Sequence, residues 1–221
     1  MSKKHICIDF EGEGKKNSGE RPLPHLLGAL VPRLDGHGKD YYLFLLREEL
    51  APIERAASIP GKTEFRRTCT LTEAIAQLIE LAEARDCRLV GYSIHELNVI
   101  QDHLPQRSAE RKAFELRWYN VKKKATALRN RLGIDAPDRT LDSLSRALMP
   151  KHKSPPPPKC GAAEACRRLS AAGSKSTRWR SWAPKHKQLA KELLAYNKGD
   201  CVAVWKLMNR VSAHYRVAEL R

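Results

Sequence analysis

The chain has 221 residues, of which 42% are hydrophobic and 30% charged, a composition typical of a globular protein large enough to fold unaided. No apolar run approaches the ~20 residues of a membrane-spanning helix, and the N-terminus lacks the long apolar region of a secretory signal. The six cysteines include no Cys-x-x-Cys motif, which argues against zinc ribbons and disulfide frameworks. We therefore predict a cytoplasmic protein with reduced cysteines and no membrane association.

Charge is distributed unevenly along the chain. The formal net charge is +16, but residues 1–105 carry a net charge of −2, whereas residues 106–221 carry 27 basic and 9 acidic side chains, a net charge of +18. A basic half beside a near-neutral half favours binding to the phosphate backbone of a nucleic acid. Attraction to an anionic membrane and simple solubility are alternative explanations of the charge.

The first predicted strand, in residues 5–14, ends in two carboxylates. Three apolar residues, Ile6–Ile8, lead into Asp9 and then Glu11. Because strand side chains alternate between faces, the two acids share one face, roughly 7 Å apart. Carboxylates resist burial unless they are paired or bound to metal, so the pair predicts a divalent-metal site. The alternative is that the strand ends at Asp9 and both acids lie in solvent.

The following segments predict the rest of a sheet. Residues 25–33 and 41–48 are expected to form two strands that complete an antiparallel meander with the first. Residues 49–69 are ambiguous because prolines interrupt any long element. A capping box opens a helix over residues 70–86. Residues 88–92 then form a short strand, expected to pair in parallel with an earlier one.

The rest of the chain is predicted to be mainly helical. Helices are expected over residues 94–103, 108–132 and 140–149, the second of them long and basic. Residues 151–184 contain four successive prolines and few large apolar side chains, which indicates a mobile basic insertion. We interpret residues 1–221 as a single domain that carries this insertion.

The last predicted helix, over residues 185–215, turns an acid toward the core. Asp200 occupies a position in the apolar stripe of this helix, four residues after Tyr196. Gly199 and Asp200 are unfavourable inside a helix and together cost on the order of 1.5 kcal/mol relative to alanine. This cost indicates that they are required. The alternative is a helix break at Gly199, with Asp200 capping a second helix.

One further acid, Glu96, directly follows a predicted core strand, so its side chain could reach the end of the first strand. The alternative is structural, since Ser93 and Glu96 have the spacing of a capping box.

The three motifs together resemble those of the DEDD-type 3′–5′ exonucleases of the ribonuclease H-like superfamily, in the subclass with tyrosine in the third motif. The matching residues are Asp9 and Glu11 in IDFEG, Glu96 in GYSIHE, and Tyr196 with Asp200 in YNKGD. The resemblance covers nearly the whole chain. It implies an α/β, ribonuclease H-like fold, in which helices flank a mixed central sheet of an antiparallel meander and parallel strands.

Two residues depart from the family pattern. The second-motif acid is usually aspartate, whereas here it is Glu96, as in a divergent and mostly prokaryotic branch. Asn120 stands where an aspartate is often found. Both departures concern the second metal site more than the fold.

The resemblance also implies a mechanism, hydrolysis of phosphodiester bonds in single-stranded DNA or RNA with two Mg²⁺ or Mn²⁺ ions. Asp9 would bridge both ions, and Glu11 and Asp200 would complete the ion that activates water. Glu96 would help to hold the other ion, and Tyr196 would orient the attacking water. A ribonuclease H-like endonuclease with the same site and a binding module with a degenerate site remain alternatives.

The basic half of the chain also contains candidate residues for binding the nucleic acid. They are Lys122, Lys123, Lys124, Arg178, Trp179, Arg180 and Trp182. Cations interleaved with aromatic rings suit a single strand, whose bases stack while its phosphates pair with charge. The lysine run could equally be a solvated helix face, and one tryptophan could anchor its loop to the core.

Overall fold

A mixed six-stranded β-sheet forms the centre of the computed structural model, which describes residues 4–14, 19–54, 56 and 64–219. The strands are β1 (Lys4–Glu11), β2 (Leu26–Pro32), β3 (Lys39–Leu45), β4 (Glu64–Thr68), β5 (Cys87–Gly91) and β6 (Trp118–Asn120). The α-helices are α1 (Ala51–Glu54), α2 (Leu71–Ala84), α3 (His95–His103), α4 (Ala109–Arg117), α5 (Val121–Arg131), α6 (Leu141–Leu148), α7 (Ala162–Lys175) and α8 (Pro184–Glu219). Short 3₁₀ turns occur at Glu48–Leu50 and Trp179–Ser181.

The spatial order of the strands is β4-β3-β2-β1-β5-β6. β1, β2 and β3 form the predicted antiparallel meander, in which Asp9 lies opposite Gly28. β5 pairs in parallel with β1, and β6 pairs in parallel with β5. The carboxyl ends of β1 and β5 therefore meet at one edge of the sheet. This confirms the predicted α/β class and the mixed sheet of a ribonuclease H-like fold.

One face of the sheet is covered by α2, α3 and α4. Ile6, Ile8 and Phe10 of β1 belong to the apolar cluster on this side, together with Ile75 and Leu78 of α2. Burial of each large aliphatic side chain contributes roughly 1.5–3 kcal/mol. The predicted capping box is present, since the side chains of Thr70 and Glu73 both bond to each other's backbone N–H. This face is built for stability.

The opposite face is covered by α5, α6, α7 and α8. Cys7, Leu43 and Val90 of the sheet cluster here with Leu193 and Val204 of α8. Strand alternation places Asp9 and Glu11 on the same face as Cys7, so the acids point toward α8.

The predicted long helix over residues 108–132 is wrong. The chain instead forms α4, the short strand β6 and α5, because Trp118–Asn120 adopts an extended conformation and pairs with β5. The side chain of Asn120 accepts a hydrogen bond from the Lys122 backbone N–H at 2.9 Å and so caps α5. Pairing with β5 overrides the local preference for helix.

The ambiguous segment over residues 49–69 contains an additional strand. β4 pairs in parallel with β3 at the edge of the sheet.

The proline-rich segment over residues 151–184 differs from the mobile insertion that its composition indicates. It contains α7, which buries Ala165, Cys166 and Leu169 against the α8 face. Small side chains let α7 approach its neighbours closely, so the helix packs without large apolar residues. The assignment of residues 1–221 to one domain stays a prediction.

All six cysteines are free, and four of them are buried, as expected for reduced thiols. None of the helices in the described part of the chain combines the length and the apolar character needed to cross a bilayer.

Candidate metal centre

Three carboxylates meet at the edge of the sheet where β1 ends. Asp9 and Glu11 come from β1 and Asp200 from α8, and one oxygen atom from each lies within 4.8 Å of the others. Glu11 is only 7% exposed, so its carboxylate is not simply solvated at a strand end. α8 continues without a break through Gly199 and Asp200, so the alternative of a second helix capped by Asp200 is wrong.

The charged forms of these acids are disfavoured in the absence of a cation. Burial, and then the negative charge of Glu11, raises the pKa of Asp9 well above its usual range. Burial raises the pKa of Glu11 to about 7 and that of Asp200 to about 6. When one of them is protonated, the side chains of Asp9 and Glu11 are close enough to share a hydrogen bond. Such a cluster binds either protons or a cation.

Tyr196 lies one helical turn before Asp200 on α8, with its hydroxyl near the Asp200 carboxylate. Burial, followed by the charge of Asp200, raises the pKa of Tyr196 above its ordinary value. The phenol therefore stays protonated at neutral pH and acts as a donor rather than as a base.

Glu96 lies beside this group but outside it. It is 3% exposed and lies against Gly91 at the end of β5. Its negative charge contributes to the raised pKa of Asp9, and burial raises the pKa of Glu96 itself to about 7. Its Oε2 also accepts from the Ser93 N–H at 3.3 Å, a contact typical of the capping-box alternative. Glu96 thus makes a hydrogen bond typical of a helix cap and also lies close enough to Asp9 to raise its pKa.

Asn197, which no sequence motif singled out, is fully buried on α8. Its Nδ2 donates to Asp9 Oδ2 at 2.8 Å and to the Asp9 carbonyl at 3.2 Å. Its Oδ1 accepts from the Tyr41 hydroxyl at 2.6 Å. A side chain at Gly28 would collide with the Asn197 amide, so glycine leaves room for it. Asn197 therefore fixes the orientation of Asp9. The sequence does contain a signal for Asn197, because its polar amide occupies an apolar-stripe position of α8, one helical turn after Leu193.

Two other polar residues near the site have separate roles. Asn120 caps α5 and is not a member of the acidic group. Asp142, on α6, adds negative charge that raises the pKa of Asp200, and it forms an ion pair with Arg146 at 2.8 Å. No sequence pattern singled out Asp142.

The three candidate lysines have different surroundings. Lys122 is half-buried, and its Nζ lies 5.4 Å from the ring centroid of Tyr92, directly after β5. Lys123 is exposed. Lys124 is also exposed, but its Nζ lies 5.2 Å from the ring centroid of Tyr215, near the far end of α8. Of the three, Lys122 is placed at the same sheet edge as the acids.

The second candidate group lies just before α8. Trp182 is 3% exposed, and its Nε1 donates to the Ser176 carbonyl at 2.9 Å, so it anchors the loop and has no free face for a base. Trp179 is half-buried, with its ring centroid 5.3 Å from that of Trp182. Arg178 and Arg180 are exposed and remain candidates for phosphate contact.

Comparisons with known proteins give little further information. No family model and no curated protein matches this chain. The solved structure of an ExoI/SSB-Ct complex is similar over 81% of this chain and 42% of that chain, with a TM-score of 0.40 and 13% sequence identity. This chain thus spans less than half the length of that one.

Proposed function

We propose that the protein is a metal-dependent nuclease, and specifically a 3′–5′ exonuclease that acts on single-stranded DNA or RNA by a two-metal-ion mechanism. The observation that carries the proposal is the meeting of Asp9, Glu11 and Asp200 within 4.8 Å at the end of a core strand. A group of three partly or fully buried acids costs stability, and binding of divalent cations explains why it is retained. The basic half of the chain supplies the attraction for a polyanion.

The donor set fits Mg²⁺ or Mn²⁺, which prefer oxygen ligands. Asp9, Glu11 and Asp200 would hold the first ion, and Asp9 and Glu96 would contribute to the second. When bound, such ions activate water and stabilise the charge of the in-line transition state. Because the pKa values of Glu11 and Asp200 are raised, cation binding would release protons near neutral pH.

The protein's own residues would orient this chemistry. Asn197 holds Asp9 through two hydrogen bonds, so the carboxylate oxygen is presented in one direction. Tyr196 lies beside Asp200 and would direct the attacking water by hydrogen bonding without removing its proton.

The test uses end-labelled linear and closed circular single strands, incubated with Mg²⁺ or Mn²⁺. We expect progressive shortening of linear strands from the 3′ end and no cutting of circles. The Asp9→Asn variant should lose nearly all activity, while Asp135→Asn, at an exposed acid in the α5–α6 connection, should retain activity.

Other outcomes would replace the proposal. Cutting of circles would make the protein an endonuclease. Binding without metal-dependent cleavage would leave a binding module, an alternative favoured by the position of Glu96 outside the three-acid group. Cleavage by Asp9→Asn at the normal rate would show that the site is wrongly assigned.

A further inference from the structure

A basic cavity of about 500 Å³ lies where the end of the proline tract meets α7 and α8. Three separate segments line it, so it depends on the tertiary fold. The lining residues are Lys159, Cys160, Arg168, Lys185, His186, Gln188, Leu189 and Glu192.

The charges around this cavity favour an anion. Among the described residues, no ion pair or hydrogen bond engages the ammonium groups of Lys159 and Lys185, although Arg168 bonds to Glu164 at 2.7 Å. The acid in the lining, Glu192, accepts a hydrogen bond from Gln188 at 3.0 Å. More cationic than anionic residues thus line the cavity, as at phosphate sites.

The lowered pKa of His186 is consistent with this excess of positive charge. Burial lowers its pKa, and the charges of Lys185, Lys175 and Arg168 lower it further. The imidazole is therefore neutral at physiological pH and available as a hydrogen-bond partner inside a cationic cavity.

The cavity lies along the same helix as the candidate metal centre. Glu192, Tyr196 and Asp200 follow one another at four-residue intervals, so they lie near one face of α8. With a rise of 1.5 Å per residue, Leu189 is about 16 Å from Asp200 along the helix axis. A single strand extended to roughly twice its 3.4 Å duplex rise spans that distance in about two to three nucleotides.

The proline tract joins the two places. A side chain at Gly199 would collide with Pro155, which shows that the start of the tract is pressed against α8 beside Asp200. Lys159, four residues later, lines the cavity. Polyproline advances about 3.1 Å per residue, so the tract covers about 12 Å alongside α8. Proline residues also lack backbone N–H groups and have a fixed φ, so the tract forms a stiff boundary between the two.

We propose that this cavity binds a backbone phosphate of the single-stranded substrate, about two to three nucleotides from the bond that is cleaved at the carboxylates. The proposal rests on the proposed nuclease function. Lys159 and Lys185 supply the charge, Arg168 and His186 supply further donors, and the proline tract borders the strand between the two sites.

The first test measures binding in EDTA, by fluorescence anisotropy of labelled oligothymidylates and oligouridylates of two, four, six and eight nucleotides. We expect the Lys159→Ala/Lys185→Ala double variant of the full chain to bind the hexanucleotide about tenfold more weakly and the dinucleotide normally. The salt dependence of hexanucleotide binding should fall by about one counterion. Lys191→Ala is the matched control, because Lys191 lies on α8 outside the cavity lining.

The second test measures turnover with Mg²⁺ on the hexanucleotide and on thymidine 5′-p-nitrophenyl phosphate, a diester too short to reach the cavity. The double variant should hydrolyse the small ester at the wild-type rate. Its KM for the hexanucleotide should rise about tenfold with kcat unchanged. Unchanged melting temperatures would show that both exposed-lysine substitutions leave the fold intact.

Three results would overturn the proposal: equal loss of binding for the dinucleotide and the hexanucleotide, no loss for either, or an equal loss in Lys191→Ala. Failure of the nuclease function is a different result, in which the wild type cleaves neither substrate. The binding comparison would then still decide whether the cavity holds phosphate.

Discussion

The two faces of the central sheet differ in what they bury. Toward α2, β1 presents Ile6, Ile8 and Phe10, which are enclosed by other apolar side chains. Toward α8, the same strand presents Asp9 and Glu11. The helix places the polar side chains of Asp200 and Asn197 beside them. Buried carboxylates are costly unless they are compensated. Both faces bury apolar side chains and stabilise the fold, but the α8 face also holds a group of acids that lowers the stability of the metal-free protein.

The largest expected effect is on the α8 face. Asp9→Asn should reduce metal-dependent cleavage on the order of a thousandfold, because a neutral amide is a poor ligand and the transition-state charge loses its stabilisation. Without metal at pH 8, the variant should be at least as stable as the wild type, since repulsion from Glu11 and Asp200 is relieved. Cleavage assays and urea unfolding in EDTA measure the two effects. Loss of stability together with activity would contradict the division between the faces.

The α2 face should give the opposite result. Ile8→Ala removes a fully buried side chain and should lower the free energy of unfolding by about 2–5 kcal/mol, measured by urea denaturation. Affinity for Mn²⁺, measured by calorimetry well below the unfolding midpoint, should stay unchanged. Leu34→Ala, at a side chain that is 71% exposed, is the control and should change stability by less than about 0.5 kcal/mol. A loss of metal affinity in Ile8→Ala would show that the faces are coupled.

Measurements of stability across a pH series should isolate the free-energy cost of burying the Glu96 carboxylate. Burial raises the pKa of Glu96 from 4.5 to about 7, so the folded state binds its proton more tightly than the unfolded state. Glu96 therefore destabilises the metal-free protein progressively as the pH rises from about 4.5 through 7. The stability of Glu96→Gln relative to the wild type should grow across this window by up to about 3 kcal/mol. Taking the difference between the two proteins cancels the histidine titrations, and a difference independent of pH would refute the prediction.

The smallest effect is expected for Asn197. Asn197→Ala leaves the Tyr41 hydroxyl and an Asp9 oxygen without their partner, which should cost about 1–3 kcal/mol. It should also weaken Mn²⁺ binding, because Asp9 is no longer held in one orientation. Tyr41→Phe removes one of these hydrogen bonds and leaves the amide contact with Asp9 in place. Equal metal affinities in the two variants would show that Asn197 does not orient Asp9.

Local patterns in the sequence were sufficient for much of the fold. The capping box at Thr70 and the alternation in β1 are set by neighbouring residues, and both predictions are confirmed. β6 was missed because its extended conformation depends on β5, which lies almost thirty residues earlier and outside any local pattern. α7 was missed because small residues carry little hydrophobic signal, although they pack closely.

The candidate site divides in a similar way. The spacing of Asp9 and Glu11, and the acid at Asp200 within an apolar stripe, could be recognised in the sequence, and the structure brings these three together. The hydrogen bond from Asn197 to Asp9 joins residues 188 positions apart. The sequence around an asparagine does not show which distant residue its side chain contacts. Nor could the sequence show that Trp182 is enclosed, because tryptophan is common both in cores and at binding surfaces.

The distance along the chain between Asp9 and Asn197 has a consequence for the order of events during synthesis. At 5–20 residues per second, the ribosome adds the intervening 188 residues in about 10–40 s. During that interval β1 and its two acids exist without α8. An unfinished chain therefore lacks the Asp200 carboxylate and the amide that bonds to Asp9. The proposed activity toward nucleic acid would then arise only once α8 has been made, when the ribosome has long passed the codons of β1.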